Sequence, residues 1–337
     1  MAQMTRPLGR SGITVSALGM GCWAIGGPFW RGDMPSGWGE VDDAVSIRAI
    51  HAALDAGVTF FDTANVYGAG HSERVLGAAL QSHRPHVVIA TKWGNVFDER
   101  TRQVLGADPT PGGVARACEA SLQRLQTDYI DLYQWHLGGE PIESVPDILA
   151  ALEDLVAAGK IRAYAWSTDD PARARAFAAG AHCYSVQHEL NVLNDAPDMV
   201  ALCQELGLAS INRSPLAMGL LSGKYNATSR LPQDDVRGKT PSWMRYFHDG
   251  VPTPEWLERL AAVREVLTSN GRTLAQGALA WLWARSPNTV PIPGARTPEQ
   301  ARENAGAMAW GPLTPAQFSE IERLLGRASF GASEPDE

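Results

Sequence analysis

Cysteine is scarce in this chain of 337 residues. The four that occur, Cys22, Cys118, Cys183 and Cys203, lie far apart and form no CxxC pair. That spacing argues against a disulfide framework or a sulfur-ligated zinc site and predicts a reduced, cytoplasmic protein. His182 and His188 lack metal-ligand spacing, so no metal is expected. Positive charge is also short, with 29 Lys and Arg against 37 Asp and Glu and a formal net charge of −8. No Lys/Arg block occurs, and phosphate backbones need clustered cations, so nucleic acid is not an expected partner. No apolar run reaches the roughly 18 residues that a membrane span requires. The opening MAQMTRPLGRSG has no apolar core of a secretory signal. Repeats, low-complexity tracts and linkers are missing too, which favours one domain over residues 1–330 and a frayed tail at 331–337.

What is present is alternation. Short β-branched or apolar runs fall at 17–20, 59–62, 87–91, 129–135, 161–166, 184–187, 209–213 and 289–292. Helical spacing separates them: Val114, Ala117, Cys118, Ser121, Leu122 and Leu125 mark one apolar stripe, and Ile148, Leu149, Leu152, Leu155 and Val156 another. Strands that alternate with helices pair in parallel, because parallel neighbours need crossover connections. A doubly wound sheet shares this alternation but more often has five or six strands, so eight units predict an α/β fold of the (β/α)8 barrel type. A β-hairpin over 4–18 precedes the barrel, and a last helix over 314–325 follows it, with Phe318, Ile321, Leu324 and Leu325 on one face. Long loops at 24–41 and 226–253 carry Trp30, Trp38, Trp243, Tyr246 and Phe247, which favours binding over disorder. Trp135, Trp281 and Trp283 are expected in the core.

Gly19-Met20-Gly21-Cys22-Trp23-Ala24 matches the G-x-G-x-x-A fingerprint of a Rossmann dinucleotide site. The residues that follow, IGGPFWRGDMPSGWG, cannot begin a regular helix, so the required strand–turn–helix context is missing. A barrel strand opening into a ligand loop accounts for the same glycines.

Barrel active sites lie at the carboxyl ends of the strands. Those ends supply Asp62 (FFDTANVYG), Lys92 (VVIATKWGN), His136 (DLYQWH), Ser167 (YAWST) and Gln187 (SVQHE), and Tyr67 follows Asp62 by five residues. Each has a structural explanation taken alone; their convergence on one face does not. A phenol with a pKa near 10 exchanges protons poorly at neutral pH unless perturbed. A neighbouring ammonium stabilises the phenolate and lowers that value, while a carboxylate fixes the ammonium in place. A histidine can orient a carbonyl oxygen toward the phenol. The set suits carbonyl reduction, provided that a hydride comes from elsewhere.

FFDTANVYG, ATKWG and YQWH resemble the tetrad motifs of the aldo-keto reductase superfamily in order and spacing, and the likeness runs from RPLGRSGITVSALGMG to PGARTPEQARENAGA. It is nearest to the branch holding potassium-channel β-subunits and bacterial aldo-keto reductases. The resemblance implies that Tyr67 is the general acid/base, that Lys92 and Asp62 tune it, and that His136 positions the carbonyl. It also implies NAD(P)H bound in extended form, with NADPH preferred and NADH possible. Ser167, Thr168 and Gln187 would then contact the nicotinamide carboxamide, and Gly21, Cys22, Trp23 and Asp62 its ribose side. Arg213, Ser214, Pro215, Leu216, Gly219 and Lys224 would follow toward the pyrophosphate, and Gly294, Ala295, Arg296, Gln300 and Asn304 would face the adenosine. Arg296, Lys224 and Arg237 would offer cations to a 2′-phosphate.

Two positions depart from the family pattern. Thr168 replaces an Asn of the carboxamide pair, and Arg213 replaces an aromatic that stacks on nicotinamide. A guanidinium can stack on a neutral ring, so Arg213 is expected to favour the reduced cofactor. Cys22 reads as a small buried hydrophobe. Trp23, Trp30 and Trp93 are expected at the substrate entrance, which favours an apolar or aromatic carbonyl compound; the net charge disfavours an acidic one unless local fields override it. Two rival readings are a cofactor-sensing regulatory subunit, which would retain the same tetrad, and an isomerase or lyase using Lys92 as a Schiff base. Asp62 opposes the latter, because a paired ammonium is a poor nucleophile.

Overall fold

The computed structural model describes residues 4–327, so the expected tail at 331–337 lies outside the described residues. All eight expected strands form: β1 (Met20–Gly21), β2 (Phe60–Asp62), β3 (Val88–Trp93), β4 (Ile130–Trp135), β5 (Ile161–Ser167), β6 (Cys183–Glu189), β7 (Ala209–Arg213) and β8 (Thr289–Pro291). Each pairs in parallel with its neighbour in sequence. Gly19 N donates to Pro291 O (2.9 Å) and Gly21 N to Pro293 O (3.0 Å), which joins the first strand to the last and closes the barrel. Helices follow the strands; that over Pro111–Leu125 starts with Thr110 accepting from Gly113 N, and that over Leu274–Arg285 with a Thr273/Gln276 capping box. None of the described helices is long and apolar enough to cross a membrane.

Successive side chains of a strand point to opposite faces, and this parity divides the molecule. Phe60, Val88, Ala90, Leu132, Ala163, Ala165, Ile211 and Val290 point inward and fill the barrel. The hairpin of Thr5–Pro7 and Thr14–Ser16 brings Leu8, Ile13 and Val15 into that same cluster and plugs the barrel at the amino ends of its strands. The alternate residues face the helices. There Trp93 stacks on Trp135 (centroids 5.6 Å apart) and Trp135 on Trp166 (4.4 Å), all buried. Trp281 and Trp283 are buried in the helix layer as well, and the final helix forms at Pro315–Leu324.

Both long loops are more ordered than their composition suggests. Trp30–Arg31 and Met34–Pro35 join a hairpin of Asn95–Asp98 and Gln103–Ala107 in a four-stranded sheet above β3. Phe247–His248 pairs with Val251–Pro252. These strands of two to five residues are too short to show a period in sequence.

Candidate active site

Inward parity carried to the strand ends brings Asp62, Lys92 and Gln134 together under a cleft of about 1460 Å³, lined by Tyr67, His136, Ser167 and Gln187. Tyr67 comes from the turn after β2. Gly68 makes that turn possible: its φ is +61°, and a Cβ there would lie 1.7 Å from Gly26 O. The close approach holds Tyr67 against loop 24–41.

Lys92, fully buried, donates to Asp62 Oδ1 (2.5 Å), to Thr63 O (2.8 Å) and to Tyr67 Oη (3.2 Å). An ammonium has three N–H groups and no acceptor, so all its donors are used. The phenol oxygen is the acceptor, which leaves its own proton free to point elsewhere. Asp62 Oδ2 accepts from Gln134 Nε2 and Gln187 Nε2, each at 2.8 Å, and Gln187 Nε2 also reaches Gln134 Oε1 at 3.1 Å. Gln134 was not foreseen; the signal available was its inward parity, two residues before His136 on one strand.

Burial alone would discharge Lys92, but Asp62 and the Tyr67 phenol hold its pKa above the ordinary lysine value. For Tyr67, burial raises the pKa and outweighs the opposing pull of Lys92. The lowering expected from the ammonium is present but does not set the net direction, and the group stays a phenol at neutral pH. His136 packs edge-on to Tyr67, with ring centroids 5.9 Å apart. Burial, then the charges of Lys92, Arg213 and Arg31, push its pKa well below the usual histidine value, so it is neutral. Its Nδ1 is buried and unpartnered.

The walls are aromatic. Trp23 stacks on Tyr67 (5.8 Å) and contacts Trp38 and Trp243, while its Nε1 donates to Ser36 O (2.9 Å). Trp93 is not at the entrance: the residue after Lys92 must point outward, and it is buried among the helices. Trp30 is half-buried and does not line the cleft; its strand neighbour Arg31 does, and successive side chains of a strand point to opposite faces. Cys22 lines the cleft with its side chain fully buried, and burial pushes its thiol pKa up, in keeping with an inert hydrophobe. The Gly21–Trp23 segment forms a 3-10 turn over Trp23–Ile25 and not the helix that a Rossmann site needs.

All the positions that the resemblance assigned to a dinucleotide line this one cleft, from Gly21 through Ser167, Thr168 and Ser214 to Arg296 and Asn304. Several are already engaged. Thr168 Oγ1 donates to Gly138 O (2.9 Å). Arg213 is paired with Asp169 and lies 3.7 Å from Glu189, which offset part of its charge. Arg237 is held by Asp235 (2.7 Å), Met218 O (3.0 Å) and Tyr225 Oη (3.0 Å), with its guanidinium 4.4 Å from the Trp38 ring. It is a structural tie and not a loose cation. Arg296 reaches across to Trp38 O (2.9 Å) and Glu40 O, tying the far end of the cleft to loop 24–41. Among the described residues, exposed Lys224 is left as the cation of the three without such ties. Ser214, Ala217 and Met218 adopt left-handed φ of 51°, 48° and 54°, strain of the sort that gathers at binding sites.

The donor set fits a nicotinamide group: Gln187 keeps its Oε1 as an acceptor, and His136 and the Tyr67 hydroxyl line one wall. A long cleft with a polar reactive end suits a cofactor lying beside a small substrate. Among the described residues no cluster of His, Cys, Asp or Glu could hold a metal ion.

Comparison with known proteins agrees. The family model described as the aldo/keto reductase family matches residues 17–325. The chain is 32% identical to "Aldo-keto reductase yakc [NADP(+)]" of Schizosaccharomyces pombe over 346 residues, covering 99% of this chain and 95% of that protein. It is 31% identical to the NADH-specific methylglyoxal reductase of Escherichia coli, covering 90% and 92%. The structure of an aldo-keto reductase from Klebsiella pneumoniae in complex with NADPH superimposes with a TM-score of 0.70 at 26% identity, over 98% of each chain. A closed barrel, a tetrad at its strand ends and this match over almost the whole length lead to one conclusion: the chain belongs to the aldo/keto reductase family.

Proposed function

We propose that this protein, an NAD(P)H-dependent oxidoreductase by its family, reduces an aldehyde or ketone to an alcohol, with Tyr67 as the proton donor. The observation that carries the reading is the use of all three Lys92 N–H groups, one of them on Tyr67 Oη. The phenol then has its proton available to a carbonyl oxygen in the cleft. When bound, the cofactor supplies the hydride that the carbonyl carbon takes up. Neutral His136 positions the carbonyl oxygen without competing as an acid, and Lys92 stabilises the phenolate left after proton transfer. Asp62, held by two glutamine amides, keeps Lys92 charged and in place. Trp23 covers the reacting end and restricts water.

Gly21, Ser167, Gln187 and the 214–219 segment would hold the nicotinamide and pyrophosphate, and Gly294 to Asn304 the adenosine. Relatives carry both NADP(+) and NADH in their names. Lys224 favours NADPH here, since an unengaged cation can meet a 2′-phosphate. The test is NADPH fluorescence titration followed by NADPH absorbance decay with 4-nitrobenzaldehyde, in wild type and Tyr67→Phe. Binding with Tyr67-dependent turnover is the expected result. Binding without turnover on any carbonyl would turn the reading to a cofactor sensor, and no binding would reject it.

A further inference from the structure

The acidic groups that line the reacting end of the cleft are matched. Asp62 has Lys92, Asp169 has Arg213, Asp170 has Arg173, and Glu189 lies within reach of Arg213 and Arg245 and accepts from Tyr246 Oη. Arg31 differs. It lines the same cleft, and its charge is felt at His136, yet among the described residues it has no carboxylate within 4.0 Å. Among the described residues the one hydrogen-bond partner of its guanidinium is Asn95 Oδ1, at 3.1 Å. That bond fixes the amide so that Asn95 keeps its NH2 group, beside the guanidinium donors that Arg31 has left. Asn95 is itself placed from the catalytic turn, because Asn65 Nδ2 donates to Asn95 O (3.2 Å). Two planar donors thus sit at the cleft mouth, tied to the segment that carries Tyr67.

We propose that the natural substrate is a carbonyl compound bearing a carboxylate, which Arg31 and Asn95 bind while Trp23, Phe29 and Trp243 cover the chain between the two groups. This deepens the substrate class and rests on the reductase reading above. A net charge of −8 disfavours anions at long range, but salt screens that field within about 10 Å. Inside the cleft the local excess is positive. A forked guanidinium with an amide alongside matches the two oxygens of a carboxylate.

The experiment compares 4-carboxybenzaldehyde with its methyl ester, which keeps the skeleton and removes the charge, as substrates of the purified protein with NADPH. Wild type is expected to favour the acid in kcat/KM by about tenfold or more, the size of one charge-assisted contact. In Arg31→Gln the preference falls to about one through a rise in KM for the acid, with kcat for the acid within about twofold of wild type. Arg31→Lys retains part of the preference, and Asn95→Ala lowers it partway without removing the cation. Reduction of both compounds by wild type with a ratio near one overturns the carboxylate site and leaves the reductase standing. An equal loss on both substrates in Arg31→Gln also overturns it, since a structural role would do that. Reduction of neither by wild type overturns the reductase reading and this inference together.

Discussion

Asp62 and Asp131 are both buried carboxylates on barrel strands, and both hold cations. Asp62 lies at the carboxyl end of β2, points inward, and meets Lys92, Gln134 and Gln187. Asp131 lies near the amino end of β4, on the outward parity, and meets Arg84 (2.8 Å), Arg162 (2.7 Å) and Ile89 N (3.0 Å). A buried ion pair on its own therefore says nothing of function. Its place does: one pair opens onto a cleft beside a phenol, and the other clamps the underside of the barrel, where stability is the usual role.

The largest expected effect separates the reacting end from its supports. Tyr67→Phe removes the hydroxyl proposed as the proton donor and should lower kcat by roughly a hundred- to ten-thousand-fold, while the NADPH dissociation constant from fluorescence stays within about twofold. Next comes the pair of aspartates. Asp62→Asn leaves Lys92 buried and uncompensated, at a cost of about 3–5 kcal/mol, and should lower kcat as well. Asp131→Asn should cost about 3 kcal/mol in denaturant unfolding, since Arg162 is half-exposed, and leave kcat within about twofold. Loss of turnover in Asp131→Asn would break the comparison.

A pH profile sharpens it further. With Tyr67 as the proposed proton donor, reduction needs it protonated, and its pKa is raised, so kcat should stay level through neutral pH and fall only above about 10, the ordinary tyrosine value. His136 has its pKa pushed down and is already neutral. No acid limb near pH 6.5, the ordinary histidine value, is expected, and one there would contradict the neutral imidazole. The smallest effect concerns Arg213. Asp169 offsets part of its charge, so Arg213→Tyr should change the ratio of NADP+ to NADPH dissociation constants by less than about threefold, the scale of one exposed ion pair. Asp169→Asn frees the cation and should weaken NADP+ relative to NADPH by a similar factor; an opposite shift rejects the electrostatic account.

Much of this was legible in the residues. Strand existence followed from apolar runs, and the tetrad followed from its motifs and their place at strand ends. Trp93 shows where reading by position fails. It adjoins Lys92 in the chain, yet a strand turns consecutive side chains to opposite faces, so the two belong to different layers. Gln134 was overlooked although it shares inward parity with Leu132. Arg237, offered by the resemblance as a cation for a 2′-phosphate, is held instead by Asp235, two residues before it in the chain.

Periodicity and strand-end position are local properties of a chain, so the barrel, the order of its strands and the chemical identity of the tetrad can be read from the residues. Which groups are satisfied cannot. Whether Lys92 has a donor left, whether Arg296 is tied to loop 24–41, and whether Arg31 lacks a carboxylate all depend on residues far away in sequence. Hydrogen bonds and ion pairs act over a few ångströms of space, and the closed barrel is what brings those distant residues within that range.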